Sequence, residues 1–218
     1  TLILLSVSVG VAMMGLGIIW PLIPVYAVEL GAGGFLVGLI IASYNVARTL
    51  FSPLAGRLSD RGGRKKYIVA GLFVYTVISF LYVIPTRAES LIYLRFFHGF
   101  SSVFVVPIAM ALAADIAPKP KLGLYMGTLN MALMIGLGIG PALGGFIRDH
   151  FGMDAAFYAM GTLSFLTCLL VMIFIPSDDN NQASRDHKRN YTMKKILSNR
   201  VVLGICIMRF FAASGQGA

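Results

Sequence analysis

Six long apolar runs separated by short polar stretches set the pattern of the chain. Thr1 to Val28 carries no charge, Phe35 to Ala55 only Arg48, and Tyr67 to Thr86 none. Ser90 to Ala114 carries only Arg95, while Leu122 to Ile147 and Ala155 to Ser177 carry none. Each run reaches the roughly 20 residues a helix needs to cross the hydrocarbon core. None alternates with the period of two that marks a membrane strand. Backbone in lipid is satisfied only in helices or closed barrels. The pattern therefore predicts an all-α, polytopic membrane protein with six spans and a seventh beginning near Val201. The first run is too long for a cleavable signal, and no basic segment precedes it. The chain starts at Thr1 and stops at Ala218 inside the seventh run, so a piece of a longer protein is expected.

Charge distribution orients these spans. Only 12% of residues are charged, about half the share of an ordinary soluble domain. The net charge of +9 suggests nucleic acid as a partner until the cations are placed. Arg57, Arg61, Arg64, Lys65 and Lys66 follow the second run, and Lys119 and Lys121 follow the fourth. Arg185, Lys188, Arg189, Lys194, Lys195 and Arg200 follow the sixth. All of these fall on one side, against Arg87 and Arg148 on the other; Arg48, Arg95 and Arg209 lie inside runs. The positive-inside rule makes the crowded side cytoplasmic and puts the N-terminus there. Membrane topology thus accounts for the cations, and no nucleic-acid role is expected. Cys168 and Cys206 sit in apolar runs as packing residues. No zinc spacing, P-loop or nucleophile motif appears, so neither metal, cofactor nor enzymatic activity is expected.

A repeat is hidden in the pattern. The second run exits through "SPLAGRLSDRGG" (Ser52–Gly63) and the fifth through "GPALGGFIRDHFG" (Gly140–Gly152). Pro53 and Gly56 match Pro141 and Gly144; after one inserted residue, Asp60 and Gly63 match Asp149 and Gly152. Pro and Gly recur at helix ends without any duplication. Four matches at a three-span period favour duplication, and the two copies exit on opposite sides of the membrane. Inverted repeats of this kind are a transporter feature.

Several motifs carry a family resemblance. Gly56-Arg57-Leu58-Ser59-Asp60-Arg61-Gly62-Gly63-Arg64-Lys65-Lys66 matches G-x-L-x-D-R-x-G-R-[KR]-[KR] at every fixed position. Arg95-Phe96-Phe97-His98-Gly99 looks like R-x-x-Q-G with His in place of Gln. Gly136-x-Gly138-x-Gly140-Pro141-x-x-Gly144-Gly145 fits an antiporter motif, and Pro21 and Pro24 fit the first-span pattern of drug antiporters. The chain resembles the major facilitator superfamily, and within it the twelve-helix drug–proton antiporters. The resemblance implies a six-helix N-terminal bundle over 1–176 built from two inverted three-helix repeats. It also implies a central cytoplasmic loop over 177–200 and the start of helix 7 over 201–218. The partner is then a missing C-terminal six-helix half, in the cell membrane.

The resemblance implies a role for each motif. Gly56, Asp60, Arg61, Gly63, Arg64 and Asp115 form a conformational latch, in which Asp60 holds a helix of the missing half and Arg64 pairs with Asp115. A carboxylate suits the positive end of a helix. Gly136, Gly140, Pro141, Gly144 and Gly145 belong to a helix that seals the interface between halves; close packing alone also explains small residues at four-residue spacing. An arginine in hydrocarbon needs a cavity or a partner, so Arg95, Arg48 and the nearby His98 are candidates for the cavity and for proton coupling. His titrates near neutrality and suits proton transfer; replacing Gln as a hydrogen-bonding neighbour is the simpler role. Methionines such as Met13, Met131 and Met134 offer an adaptable wall or ordinary packing. No carboxylate lies deep in the six runs, which argues against a purely cationic cargo. The expected activity is export of small hydrophobic compounds in exchange for protons. The alternatives are transport of a polar metabolite or organic anion, and a non-transporting receptor or scaffold.

Overall fold

The computed structural model describes residues 2–175. They form α1 (Leu2–Glu29), α2 (Gly34–Gly62), α3 (Arg64–Leu81), α4 (Ser90–Ser102), α5 (Val106–Ile116), α6 (Leu122–Phe151) and α7 (Met153–Phe174). A single 3₁₀ turn, Lys119–Lys121, precedes α6. The expected loop over 177–200 and the seventh run, with Cys206 and Arg209, lie outside the described residues.

Five segments are long and apolar enough to cross a membrane: Leu2–Glu29, Gly34–Gly62, Ser90–Ile116, Lys119–Phe151 and Met153–Phe174. The sixth predicted crossing, α3, has 18 residues and opens on Arg64, Lys65 and Lys66, which shortens its apolar part. Its predicted run extends to Thr86, but the helix stops at Leu81. Pro85 disfavours helix in the residue before it. The Tyr26 hydroxyl of α1 donates to the carbonyls of Tyr82 (3.1 Å) and Pro85 (3.3 Å), which fixes the turn.

The fourth span differs from its sequence reading by being broken. Pro107 has no N–H for the Val103 carbonyl, and its ring crowds that carbonyl. Residues Val103–Val105 form a turn in which the N–H groups of Phe104 and Val105 donate to Ser101 (3.1 Å) and Ser102 (3.2 Å). The Ser101 and Ser102 hydroxyls donate to the carbonyls of His98 and Gly99, each at 2.8 Å. Pro21, Pro24, Pro53 and Pro141 lie inside helices that run through them. Serines and threonines elsewhere in the spans bond to their own helices, such as Ser8 to Leu4 and Ser164 to Met160. Each of these bonds satisfies a hydroxyl inside an apolar layer, whereas the buried hydroxyl of Ser6 has no partner among the described residues.

The most extensive pairings are α1 with α6, α2 with α4, and α3 with α7. A head-over-tail duplication demands this set. Exchanging the copies converts the α1–α6 pair into the α4–α2 pair and maps α3–α7 onto itself. The bundle is therefore two inverted three-span repeats. Burial follows: 61% of the best window of α1 is buried, against 17% in α2 and in the α6 span. α1 is apolar all round and is the most buried of the five spans, although Trp20 and Val28 remain exposed.

Candidate functional site

At one end of the bundle, Gly63 reverses the chain between α2 and α3 with φ of 88°. Only glycine adopts this conformation at little cost, and it places Arg64 at the first turn of α3. Arg64 Nε donates to Asp115 Oδ2 at 2.7 Å, and its Nη2 lies 3.3 Å from Asp60 Oδ1. The arginine side chain is 12% exposed and the Asp60 side chain 60% exposed. One guanidinium thus ties the ends of α2, α3 and α5 together. The expected Arg64–Asp115 pair forms, and Asp60 joins it with its carboxylate open to the outside of the bundle. Arg61 is the next residue after Asp60 on α2. A Cβ at Gly56 would meet nothing within 4 Å, so packing among the described residues does not require glycine there.

The opposite end carries a matching cluster that the sequence reading did not anticipate. Gly152 reverses the chain between α6 and α7 with φ of 89°. Arg148 Nη2 donates to Glu29 Oε1 at 2.9 Å, and Nη1 lies 4.0 Å from Asp149 Oδ1. In both clusters an arginine sits between the aspartate at the end of a copy's second span and the acid ending a first span. The signal was present in the sequence: Glu29 and Asp115 close the first spans of the two copies.

The glycines of α6 face α1. A Cβ at Gly136 would collide with the Gly10 carbonyl. At Gly140 it would lie 2.6 Å from Gly17 Cα, and at Gly144 2.7 Å from the Ile18 carbonyl oxygen. Pro141 Cδ abuts Gly17 on the same seam. Gly138 and Gly145 would meet nothing within 4 Å. Gly136, Gly140 and Gly144 thus let two spans of the same bundle touch at their backbones, while Gly145 belongs to another face. Met131 and Met134 are exposed on α6, whereas Met13 is buried.

Between α2, α3 and α4 lies a buried polar cluster. Arg95 and His98 share one side of α4, with 5% and 0% exposure. Gly99 lets α4 press on the Tyr44 carbonyl of α2. The His98 ring meets Tyr75 edge-on at 4.3 Å and Tyr44 at 5.5 Å, and its Nδ1 shares a 3.2 Å hydrogen bond with the Tyr82 hydroxyl. Arg95 Nε, His98 Nε2 and the hydroxyls of Tyr44 and Tyr75 are buried without a partner. Arg48, midway along α2, and Arg95 both place their guanidinium carbon over the Tyr44 ring, at 5.7 and 5.5 Å. Arg48, Arg95 and His98 therefore come together, through three tyrosines that the sequence reading did not single out. Among the described residues there is no cluster of His, Cys, Asp and Glu that could hold a metal.

The inverted three-span repeats define a multi-pass membrane protein of transporter architecture. The chain belongs to the Major Facilitator Superfamily, whose family model matches residues 5–217. It is 40% identical over 158 residues to an uncharacterised MFS-type transporter of Methanocaldococcus jannaschii, covering 72% of this chain and 41% of the relative. Multidrug resistance protein 1 of Bacillus subtilis is 30% identical over 209 residues, 95% of this chain and 54% of the relative. The quinolone resistance protein NorA of Staphylococcus aureus is 26% identical over 205 residues, 94% and 53% respectively. The solved structure of the human organic anion transporter MFSD10 matches with a TM-score of 0.67 at 18% identity, over 81% of this chain and 47% of that one. The chain spans about half the length of the curated relatives it matches.

Proposed function

We propose that this chain is the N-terminal half of a secondary active transporter. It exports small, largely hydrophobic compounds in exchange for protons, by rocking against a C-terminal half. The observation that carries the reading is the single guanidinium of Arg64 held between Asp60 and Asp115 across three helix ends. The carboxylate of Asp60 stays largely exposed at that junction, which suits a contact that is made and broken. Relatives named as multidrug resistance proteins support the cargo class. In this reading the clasp lies in the cytoplasm, with the N-terminus. The carboxylate of Asp60 engages a helix end of the other half, and releasing it accompanies inward opening. A contact of a few kcal/mol is the size that biases a two-state equilibrium. Arg95 and His98 serve proton coupling, and the exposed face of α6 meets the other half. Residues 1–176 form the bundle, 177–200 the cytoplasmic connection and 201–218 the start of helix 7.

Inside-out vesicles containing the full-length transporter test this. Acidifying the lumen should drive uptake of at least one of three pyrene compounds, cationic, neutral and anionic, and a protonophore should abolish it. Absence of protonophore-sensitive uptake for all three overturns proton-coupled export of hydrophobic compounds and leaves the polar-metabolite carrier and the receptor or scaffold.

A further inference from the structure

We infer that Arg48, Arg95 and Tyr44 form a binding site for the acidic group of an organic anion with a hydrophobic body. The inference rests on the transporter reading for its place in a cycle and assigns the charge of the cargo. Arg48 and Arg95 are the arginines away from the ends of the described spans, and neither has a carboxylate partner among the described residues. An arginine at membrane depth is costly unless a counter-charge or a polar cavity receives it. The Tyr44 ring face supplies part of that compensation to both guanidiniums. It leaves Arg95 Nε without an acceptor, on a residue that is 95% buried.

The other orphaned groups nearby point the same way. The Tyr44 and Tyr75 hydroxyls and His98 Nε2 are buried and unpartnered beside Arg95. Guanidinium and hydroxyl groups together offer donors, and a carboxylate accepts from several donors at once. Packing does not explain the cations. Counting from the paired prolines 53 and 141, Tyr44 and Arg48 correspond to Ala132 and Gly136 of the other copy. Gly10 and Gly99 hold equivalent positions, each with its Cβ direction aimed at the carbonyl of Ala132 or Tyr44. From these, Arg95 corresponds to Ser6. The same helix crossing is therefore built in the second copy with glycine, alanine and serine, and the arginines are an addition to it. Arg48 is only half-buried on α2, a helix with an exposed flank, so the pair has an approach, while Arg95 and His98 form the floor.

Equilibrium binding to the detergent-purified full-length protein tests the site without requiring transport, so a failure here and a failure of proton-driven uptake are distinguishable. The probes are 1-pyrenebutyrate, 1-pyrenebutanol and 1-pyrenebutylamine, which share a body and differ in charge. The acid should bind about tenfold more tightly than the alcohol, the scale of one well-placed charge-assisted pair. Arg48→Gln and Arg95→Gln should each remove most of that preference, and Arg48→Lys should retain part of it. Circular dichroism reports whether each variant is folded; if Arg95→Gln is not, Arg48→Gln decides. Equal binding of acid and alcohol overturns the inference, whether the cause is an acid elsewhere in the full-length chain or the lack of a site. So does an acid preference that survives the substitutions.

Discussion

Asp60 and Arg64 share one ion pair but not one environment, and this separates their roles. Arg64 is mostly covered and holds two carboxylates, whereas Asp60 is largely open. Solvent-exposed pairs contribute little to stability. Asp60→Asn should therefore leave expression and thermal unfolding nearly unchanged and abolish transport in vesicles. Full transport by that variant would remove Asp60 from the mechanism. Arg64→Gln takes the 2.7 Å hydrogen bond from Asp115, so its melting temperature should fall further than that of Asp60→Asn. The glycines divide in the same way. Gly140→Ala forces a methyl group against Gly17 and should cost about 1–3 kcal/mol, as overpacking does. Gly145→Ala faces open space inside α6 and should stabilise by up to about 1 kcal/mol, the helix-propensity gain of alanine over glycine. Thermal unfolding of both in one detergent checks the contrast.

At the scale of elements, the broken fourth span is the main departure from the hydrophobic pattern. Four other prolines lie inside continuous helices, so proline alone does not dictate the break. At Pro107 the neighbouring Ser101 and Ser102 redirect local hydrogen bonding, and the turn seats Phe104 where a Cβ at Gly71 of α3 would lie 2.6 Å from it. Pro107→Ala restores an N–H for the Val103 carbonyl. The amides of residues 103–107 should then exchange with deuterium more slowly than the wild-type amides of 103–106. Unchanged exchange would mean that packing against Gly71, and not the missing donor, keeps the span broken. The Arg148 cluster is likewise a property of elements, since Glu29 and Arg148 link the ends of α1 and α6. Glu29→Lys and Arg148→Glu should each lower the melting temperature, and the double reversal should recover part of the loss.

For the whole molecule, the inverted repeat places the two arginine clusters at opposite ends of the bundle. In the proposed orientation, which follows the positive-inside rule, the Arg64 end is the cytoplasmic one. In a chain with Cys168 and Cys206 changed to serine, a membrane-impermeant thiol reagent on intact cells should label Thr86→Cys and spare Lys119→Cys. Labelling of Lys119→Cys instead would invert the topology and move the proposed clasp to the wrong side. The weak burial of α2 and the α6 span makes them the flanks through which the bundle would meet a second half.

Hydropathy alone determined the number and limits of most spans, because a membrane demands long apolar runs of nearly fixed length. The charge bias supplied the orientation that the proposed function assumes, and Gly-Pro spacing at Pro53 and Pro141 revealed the duplication. The Arg64–Asp115 pair was legible only through the motif resemblance, since nothing local links residues so far apart in the chain. Tertiary structure decided the rest. It turned the glycines of α6 toward α1, set Glu29 beside Arg148, and gathered Tyr44, Tyr75 and Tyr82 around His98 and Arg95. Those contacts join different helices, and a linear pattern records which face of a helix is small or polar but not which neighbour that face meets.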